Sequence, residues 1–147
     1  MEDAFAPARL GPVDLRNRIV KAATFEGRTP EALVTDDLID FHTEFARGGV
    51  GMTTVAYLAT SPEGRTDRHC FHWGLPDDGG LRALTDAVHR EGAAVSAQIG
   101  HAGAVANSRS TGRTALSPSR FVAPQAVAPT KACTTDDIAR ITSDHAR

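Results

Sequence analysis

The chain alternates between short apolar runs and stretches in which apolar positions recur every three or four residues. That alternation predicts strands followed by helices. Residues 10–15 carry a turn signal at Gly11 and Pro12, so a short β-hairpin over residues 9–16 is expected to lead into a first strand at residues 18–24. Thr35 is placed to cap a helix with Asp36 and Asp37 in its first turn, Leu38, Phe41 and Phe45 on one face, and Arg47 and Gly48 at its end. A second strand follows at residues 50–57. Residues 59–78, polar and punctuated by Pro62, Gly64 and Pro76, read as a long loop. A second helix is expected from Gly80 to Glu91, with Leu81, Leu84 and Val88 on one face, Asp78 as a cap and Gly92 as a stop. Third comes a strand at residues 93–99, in which Val95, Ala97 and Ile99 share one face and Ser96, Gln98 and Gly100 the other.

Residues 100–133 contain Gly103, Gly112, Pro118, Pro124 and Pro129 without sustained periodicity, and read as an extended excursion. Thr134 or Thr135 then caps a last helix, residues 135–147, with Asp136 and Asp137 in its first turn and Ile138, Ile141 and His145 at helical spacing. No Gly or Pro stop follows, and in this alternation a helix delivers the chain to another strand. The expectation is an α/β fold cut before its fourth strand: either a doubly wound sheet or the N-terminal portion of a (β/α)8 TIM barrel, which needs about 250 residues. A dinucleotide or P-loop fingerprint has its glycines after a strand and opening a helix. Here Gly48, Gly49 and Gly51 follow a helix and open a strand, which excludes that reading.

Composition narrows the chemistry. Of 147 residues 41% are hydrophobic, and 16 Lys+Arg against 18 Asp+Glu leave a net charge of -2, so the chain is an ordinary globular one, long enough for one domain or part of one. Without a basic run it lacks the footprint of nucleic-acid or anionic-membrane binding. Cys70 and Cys133 are too few for a disulfide framework or a four-cysteine zinc site, and a reducing cytoplasm is the expected location. Acids near the amino terminus and the lack of an apolar run of about 18 residues disfavour secretion and membrane spanning.

Several groupings look chemical but have simpler readings. Adjacent His69 and Cys70, with His72, lack the second ligand pair of a zinc site. Asp36, Asp37, Asp136 and Asp137 are explained by first-turn helix positions. Arg65, Arg109 and Arg113 could meet an anionic substrate tail, though solvated loop arginines are commoner, and Phe41 with Phe45 reads as core.

Four segments form a recognisable set: Asn17 to Val20, Gly48 to Gly51, Pro62 to Arg65, and Gln98 to Gly103 with its His101-Ala102-Gly103. In order and spacing they resemble the old yellow enzyme family, FMN-dependent NAD(P)H:flavin oxidoreductases and ene-reductases built on a TIM barrel. The resemblance implies a partial barrel domain over residues 1–147, with βα units at 18–92 and strand three at 93–99. It implies FMN as cofactor, NADH or NADPH as reductant, and a small enone, enoate or enoyl-CoA-like substrate whose C=C bond accepts hydride from flavin N5. By position, Ala22, Ala23, Thr24 and Phe25 would lie against the flavin, Tyr57 beside it, and Gln98 would hydrogen-bond its pyrimidine edge, with His101 bounding the site. No catalytic residue and no metal ligand is assigned. The family's substrate-holding His-x-x-His or His-x-x-Asn pair would follow beyond Arg147, and its phosphate site still later.

This sequence also departs from the pattern. Ala23 and Thr24 stand where Pro-Met is frequent, Phe25 replaces a Cys or Thr that tunes the flavin, and Ala104 replaces an Arg. Those changes point toward the dienoyl-CoA reductase and 2-enoate reductase branch. Two rival readings accompany this one: a truncated remnant that binds no flavin, and a non-redox barrel enzyme such as a lyase.

Overall fold

The structure, a computed structural model, describes residues 3–75 and 80–146. An antiparallel hairpin comes first, β1 (Ala8–Leu10) and β2 (Val13–Leu15), turned at Gly11 with φ 57°. Three parallel strands follow, β3 (Val20–Lys21), β4 (Met52–Ala59) and β5 (Ala94–Gly100), side by side in chain order. Helix α1 (Asp36–Arg47) joins β3 to β4, and α2 (Leu81–Arg90) lies between β4 and β5. Both helices pack on one side of the sheet around Leu38, Ala46, Val55, Leu84, Val88 and Ala93. Strands added in sequence with helices on a single face wind as a barrel does; a doubly wound sheet reverses its strand order and covers both faces.

The caps explain where the helices start. Thr35 Oγ1 accepts from the Leu38 amide at 3.2 Å, and Thr134 forms a reciprocal capping box with Asp137, which selects Thr134 over Thr135 as the start of the last helix, α4 (Thr135–His145). Gly80 at φ 91° precedes α2, while the expected cap Asp78 lies outside the described residues.

Three expectations need correction. The first strand is only Val20–Lys21, so residues 22–24 run free of the ladder. The buried face of α1 is Leu38, His42, Thr43 and Ala46; Phe41 and Phe45 flank it, edge to face at 5.1 Å, because they shield the Lys21 ammonium instead of entering the core. Residues 100–133 are a packed excursion. They hold α3 (Ser108–Thr111), the parallel pair β6 (Leu116–Ser117) with β9 (Lys131–Ala132), and the antiparallel pair β7 (Val122–Ala123) with β8 (Ala128–Pro129). Two-residue strands carry no readable period. Buried hydroxyls stitch them instead: Ser117 Oγ donates to Thr130 Oγ1 at 2.6 Å, and that oxygen accepts from the Phe121 amide at 3.1 Å.

At the amino-terminal end of the sheet, two of the four motif segments lock together. Asn17 is buried; its amide donates to the Gly49 carbonyl at 2.6 Å and its Oδ1 accepts from the Ile19 amide at 3.0 Å. A Cβ on Gly51 would collide with the Asn17 backbone oxygen, so only glycine permits this approach. Arg16 donates to the Val50 carbonyl at 2.9 Å, the Glu91 carbonyl at 2.8 Å and the Ala46 carbonyl, capping the carboxyl ends of both helices.

Candidate functional site

At the opposite, carboxyl ends of the strands lies a cleft of about 790 Å³, the end where barrel enzymes carry their chemistry. The segment after β3 supplies Ala23, Thr24 and Phe25, the end of β4 supplies Ala56 and Tyr57, β5 supplies Gln98, and Cys70 and Phe71 come from the loop beyond β4. Of the residues expected at the site, Ala23, Thr24, Phe25, Tyr57 and Gln98 thus meet around one cavity. Ala22 and His101 do not line it.

Gln98 is exposed, and its amide makes no hydrogen bond to another described residue. A group that donates and accepts at once, in a cavity also lined by the small side chains of Ala23 and Ala56, suits a planar heteroaromatic ligand with a polar edge. Tyr57 is fixed by its neighbours: its hydroxyl donates to the Gly64 carbonyl at 2.9 Å, and a Cβ on Gly100 would stand 2.8 Å from its ring. Burial pushes the phenol pKa up, so it stays protonated. Burial likewise pushes the Cys70 thiol up, and its Sγ donates to the Phe71 carbonyl at 3.3 Å, the setting of an inert cysteine.

His101 belongs to a buttress behind the cleft. Its side chain is 8% exposed, Nδ1 accepts from the Gly103 amide at 3.0 Å, and Nε2 lies 4.0 Å from Glu63, which pairs with Arg140 of α4 at 2.5 Å. Burial, the largest influence, keeps the imidazole pKa low. Gly64 is required here too, since a Cβ on it would stand 2.7 Å from the His101 ring.

Sequence reasoning passed over a charged group on the cleft floor. The Glu26 carboxylate is 6% exposed and receives Lys21 Nζ at 2.8 Å, His42 Nε2 at 3.1 Å and the Ala56 amide at 3.2 Å. His42 Nδ1 sits 2.7 Å from Thr53 Oγ1. Burial opposes ionisation of Glu26, but the hydrogen bonds and charges of His42 and Lys21 outweigh it and hold the carboxyl below its ordinary range. The available signal was a lysine inside the apolar run 18–24, followed five residues later by an acid.

Residues 3–147 match the NADH:flavin oxidoreductase / NADH oxidase family. A 4,4'-dithiodibutanoate disulfide reductase of Rhodococcus erythropolis is 54% identical over 143 residues, covering 97% of this chain and 36% of that protein. A metal reductase of Desulforamulus reducens is 42% identical over 125 residues, covering 81% of this chain and 18% of that protein. Among solved structures, the old yellow enzyme homologue from Zymomonas mobilis superposes with a TM-score of 0.83 at 25% identity, covering 98% of this chain and 43% of that one. The chain therefore spans less than half the length of each of these relatives. The family's chemistry is redox, with FMN as cofactor and NADH or NADPH as reductant, which sets the lyase reading aside. With barrel-type winding and a family match running from Asp3 onward, the chain belongs to the NADH:flavin oxidoreductase / NADH oxidase family, that of the old yellow enzymes.

Proposed function

We propose that the protein holds FMN in the cleft between β3, β4 and β5 and reduces a small electron-poor acceptor, an activated C=C bond of an enone, enoate or enoyl-CoA-like molecule, at the expense of NADH or NADPH. The observation that carries this is the Gln98 amide, without a hydrogen-bond partner among the described residues, in a cavity that Ala23 and Ala56 also line. When bound, FMN supplies the hydride chemistry. This chain supplies the surroundings. Gln98 orients the ring through its polar edge, residues 22–25 form one wall, and Tyr57, its hydroxyl committed to Gly64, keeps the other wall rigid. Phe25, 89% exposed and without a hydrogen-bonding group, offers the ring surface contact only. His101 acts on the site through its loop. The groups that hold the acceptor and donate its proton are proposed to come from sequence beyond Arg147.

A second reading is favoured by the relative at 54% identity: the acceptor is an organic disulfide. In that case bound FMN would pass two electrons from NADH or NADPH to the S–S bond, whose two sulfurs would leave as thiols. Thiol exchange is disfavoured because Cys70 is held as a buried, protonated thiol. A cytoplasmic location fits the free thiols of Cys70 and Cys133; among the described residues no helix is long and apolar enough to cross a membrane.

The test is purification of the full-length protein. Oxidised-flavin absorbance is expected, and Gln98→Leu should weaken flavin retention. A colourless protein that takes up no FMN would sink the proposal in favour of the non-catalytic reading. NADH or NADPH oxidation is then followed with 2-cyclohexenone and with 4,4'-dithiodibutanoate. Turnover of the disulfide alone would replace the first acceptor by the second.

A further inference from the structure

Alternate residues of a strand turn their amides and carbonyls toward the same neighbour. In β4 it is Met52, Thr54 and Ala56 that face β3: β3 pairs through Val20 with Met52 and through Lys21 with Thr53, and the Met52 amide reaches the Ile19 carbonyl at 3.4 Å. Beyond Lys21 the first strand leaves the ladder, so the Thr54 carbonyl and the Ala56 amide lose their backbone partners. Two side chains replace them. Lys21 Nζ donates to the Thr54 carbonyl at 3.2 Å, and the Glu26 carboxylate accepts from the Ala56 amide at 3.2 Å. Lys21 and Glu26 then pair with each other at 2.8 Å, closing a ring where the strands splay.

That ring sits at the apex of a wedge. One side of the wedge is Ala23 and Thr24, and the other is Ala56 and Tyr57, the last two at a register shift of β4 between Val55 and Leu58. From α1, His42 backs the carboxylate at 3.1 Å, and Phe41 covers the ammonium at 5.1 Å from its ring centre. The groups facing Glu26 are therefore Lys21 from β3, His42 from α1 and the uncharged backbone of β4.

We infer that Lys21 and Glu26, backed by His42, are positioning residues that splice β3 to β4 after their ladder ends and so set the opening of the cleft that takes the flavin. This rests on the flavin reading above. None of the three needs to touch the ring: they act through Ala56 and through residues 22–25. A purely hydrophobic splice would leave a buried carbonyl and amide unmet, and a continued strand would close the wedge. The lowered pKa of Glu26 agrees with a carboxylate that works in its charged form.

The test uses the full-length protein, stripped of flavin and titrated with FMN by fluorescence quenching at pH 7.5 and from pH 5 to 3.5. Wild type, Glu26→Gln, Lys21→Met and the double variant are compared, and each apoprotein's thermal unfolding is followed in parallel. Each single variant is expected to raise the FMN Kd at least tenfold with a cooperative apoprotein transition retained. The double variant should lose less than the product of the singles. Wild-type affinity should fall as acid protonates Glu26, and Glu26→Gln should be flat over that window. Should Glu26→Gln not fold, Lys21→Met and the wild-type acid limb decide alone. A wild type that binds FMN normally, with singles within twofold of it or an acid limb unchanged in Glu26→Gln, overturns this inference and leaves the flavin reading standing. A wild type that binds no FMN at pH 7.5 overturns both.

Discussion

The two ends of the parallel sheet solve the same problem in different ways. At the amino-terminal end, Asn17, Gly49 and Gly51 bring β3 and the start of β4 together through uncharged hydrogen bonds and a contact that admits no Cβ, and Arg16 ties in both helix ends. At the carboxyl end the strands part, and the gap is bridged by ionised side chains, Lys21 and Glu26, around a cleft. The first end is closed and satisfied, the second open and charged. In a barrel the former serves stability and the latter chemistry, and the balance of forces at each follows from that division.

Breaking the charged end should cost most. Glu26→Ala leaves the Lys21 ammonium, 8% exposed, and the fully buried His42 without their acceptor, and stability should fall by about 3–5 kcal/mol, the usual loss when one partner of a buried pair is removed. Replacing both Lys21 and Glu26 by apolar residues should cost less than Glu26→Ala alone, which urea midpoints would show. Because the folded carboxyl is held below its ordinary range, its contribution is complete above about pH 4.5 and is lost as pH falls through the folded value.

Breaking the closed end should come next. Gly51→Ala forces a methyl against the backbone of Asn17, which cannot swing aside, and about 2–3 kcal/mol is expected, as for an overpacked interior. This loss should be nearly independent of pH and salt, in contrast to Glu26→Ala. An equal acid sensitivity in both variants would refute the division between the ends.

Behind the cleft, the Glu63–Arg140 pair tests how far charge at this end depends on burial. Arg140 is 43% exposed, so its removal should cost well under 1 kcal/mol after solvent screening and should fade at high salt. Burial lowers the His101 pKa, so the folded state resists its protonation. Stability from the neutral ring is present above about pH 6.5 and declines as pH falls through the ordinary histidine range; His101→Gln should flatten that slope.

The same contrast explains what the sequence disclosed. Hydrophobic period located β4 and both core helices, because each buries a continuous face, and the alternation of residues 93–99 located β5 although none of its residues is fully buried. The motif segments are legible because they dock on one another: Asn17 on Gly49 and Gly51 at one end, Gly64 beneath His101 and Tyr57 at the other. Much of that signal is therefore structural, and His101 carries it without lining the cavity. Gln98 stood out through the resemblance, since a polar residue near a strand end can as well be met by loop backbone. The splice was not, since Lys21, Glu26 and His42 lie in a strand, the segment after it and a helix, and acquire meaning only where β3 stops short, a boundary that no local pattern marks. Phe41 and Phe45 misled for a related reason: their spacing is that of a core face, and only the position of the Lys21 ammonium shows why they flank it.

The smallest effect expected is at Cys70. Its thiol lies on the cleft wall of a protein whose relative reduces a disulfide, which invites a nucleophilic role. The surroundings argue otherwise. Thiol exchange needs a thiolate, and burial, the largest influence on this group, pushes its pKa up, while Sγ is turned onto the Phe71 carbonyl. Cys70→Ser nearly conserves volume and can donate to the same carbonyl. NAD(P)H-dependent disulfide turnover by the full-length variant should remain within about threefold of wild type, a difference of under 1 kcal/mol in the barrier. A loss of about a thousandfold or more would make Cys70 the nucleophile and overturn the proposal that the disulfide is reduced by a flavin in this cleft.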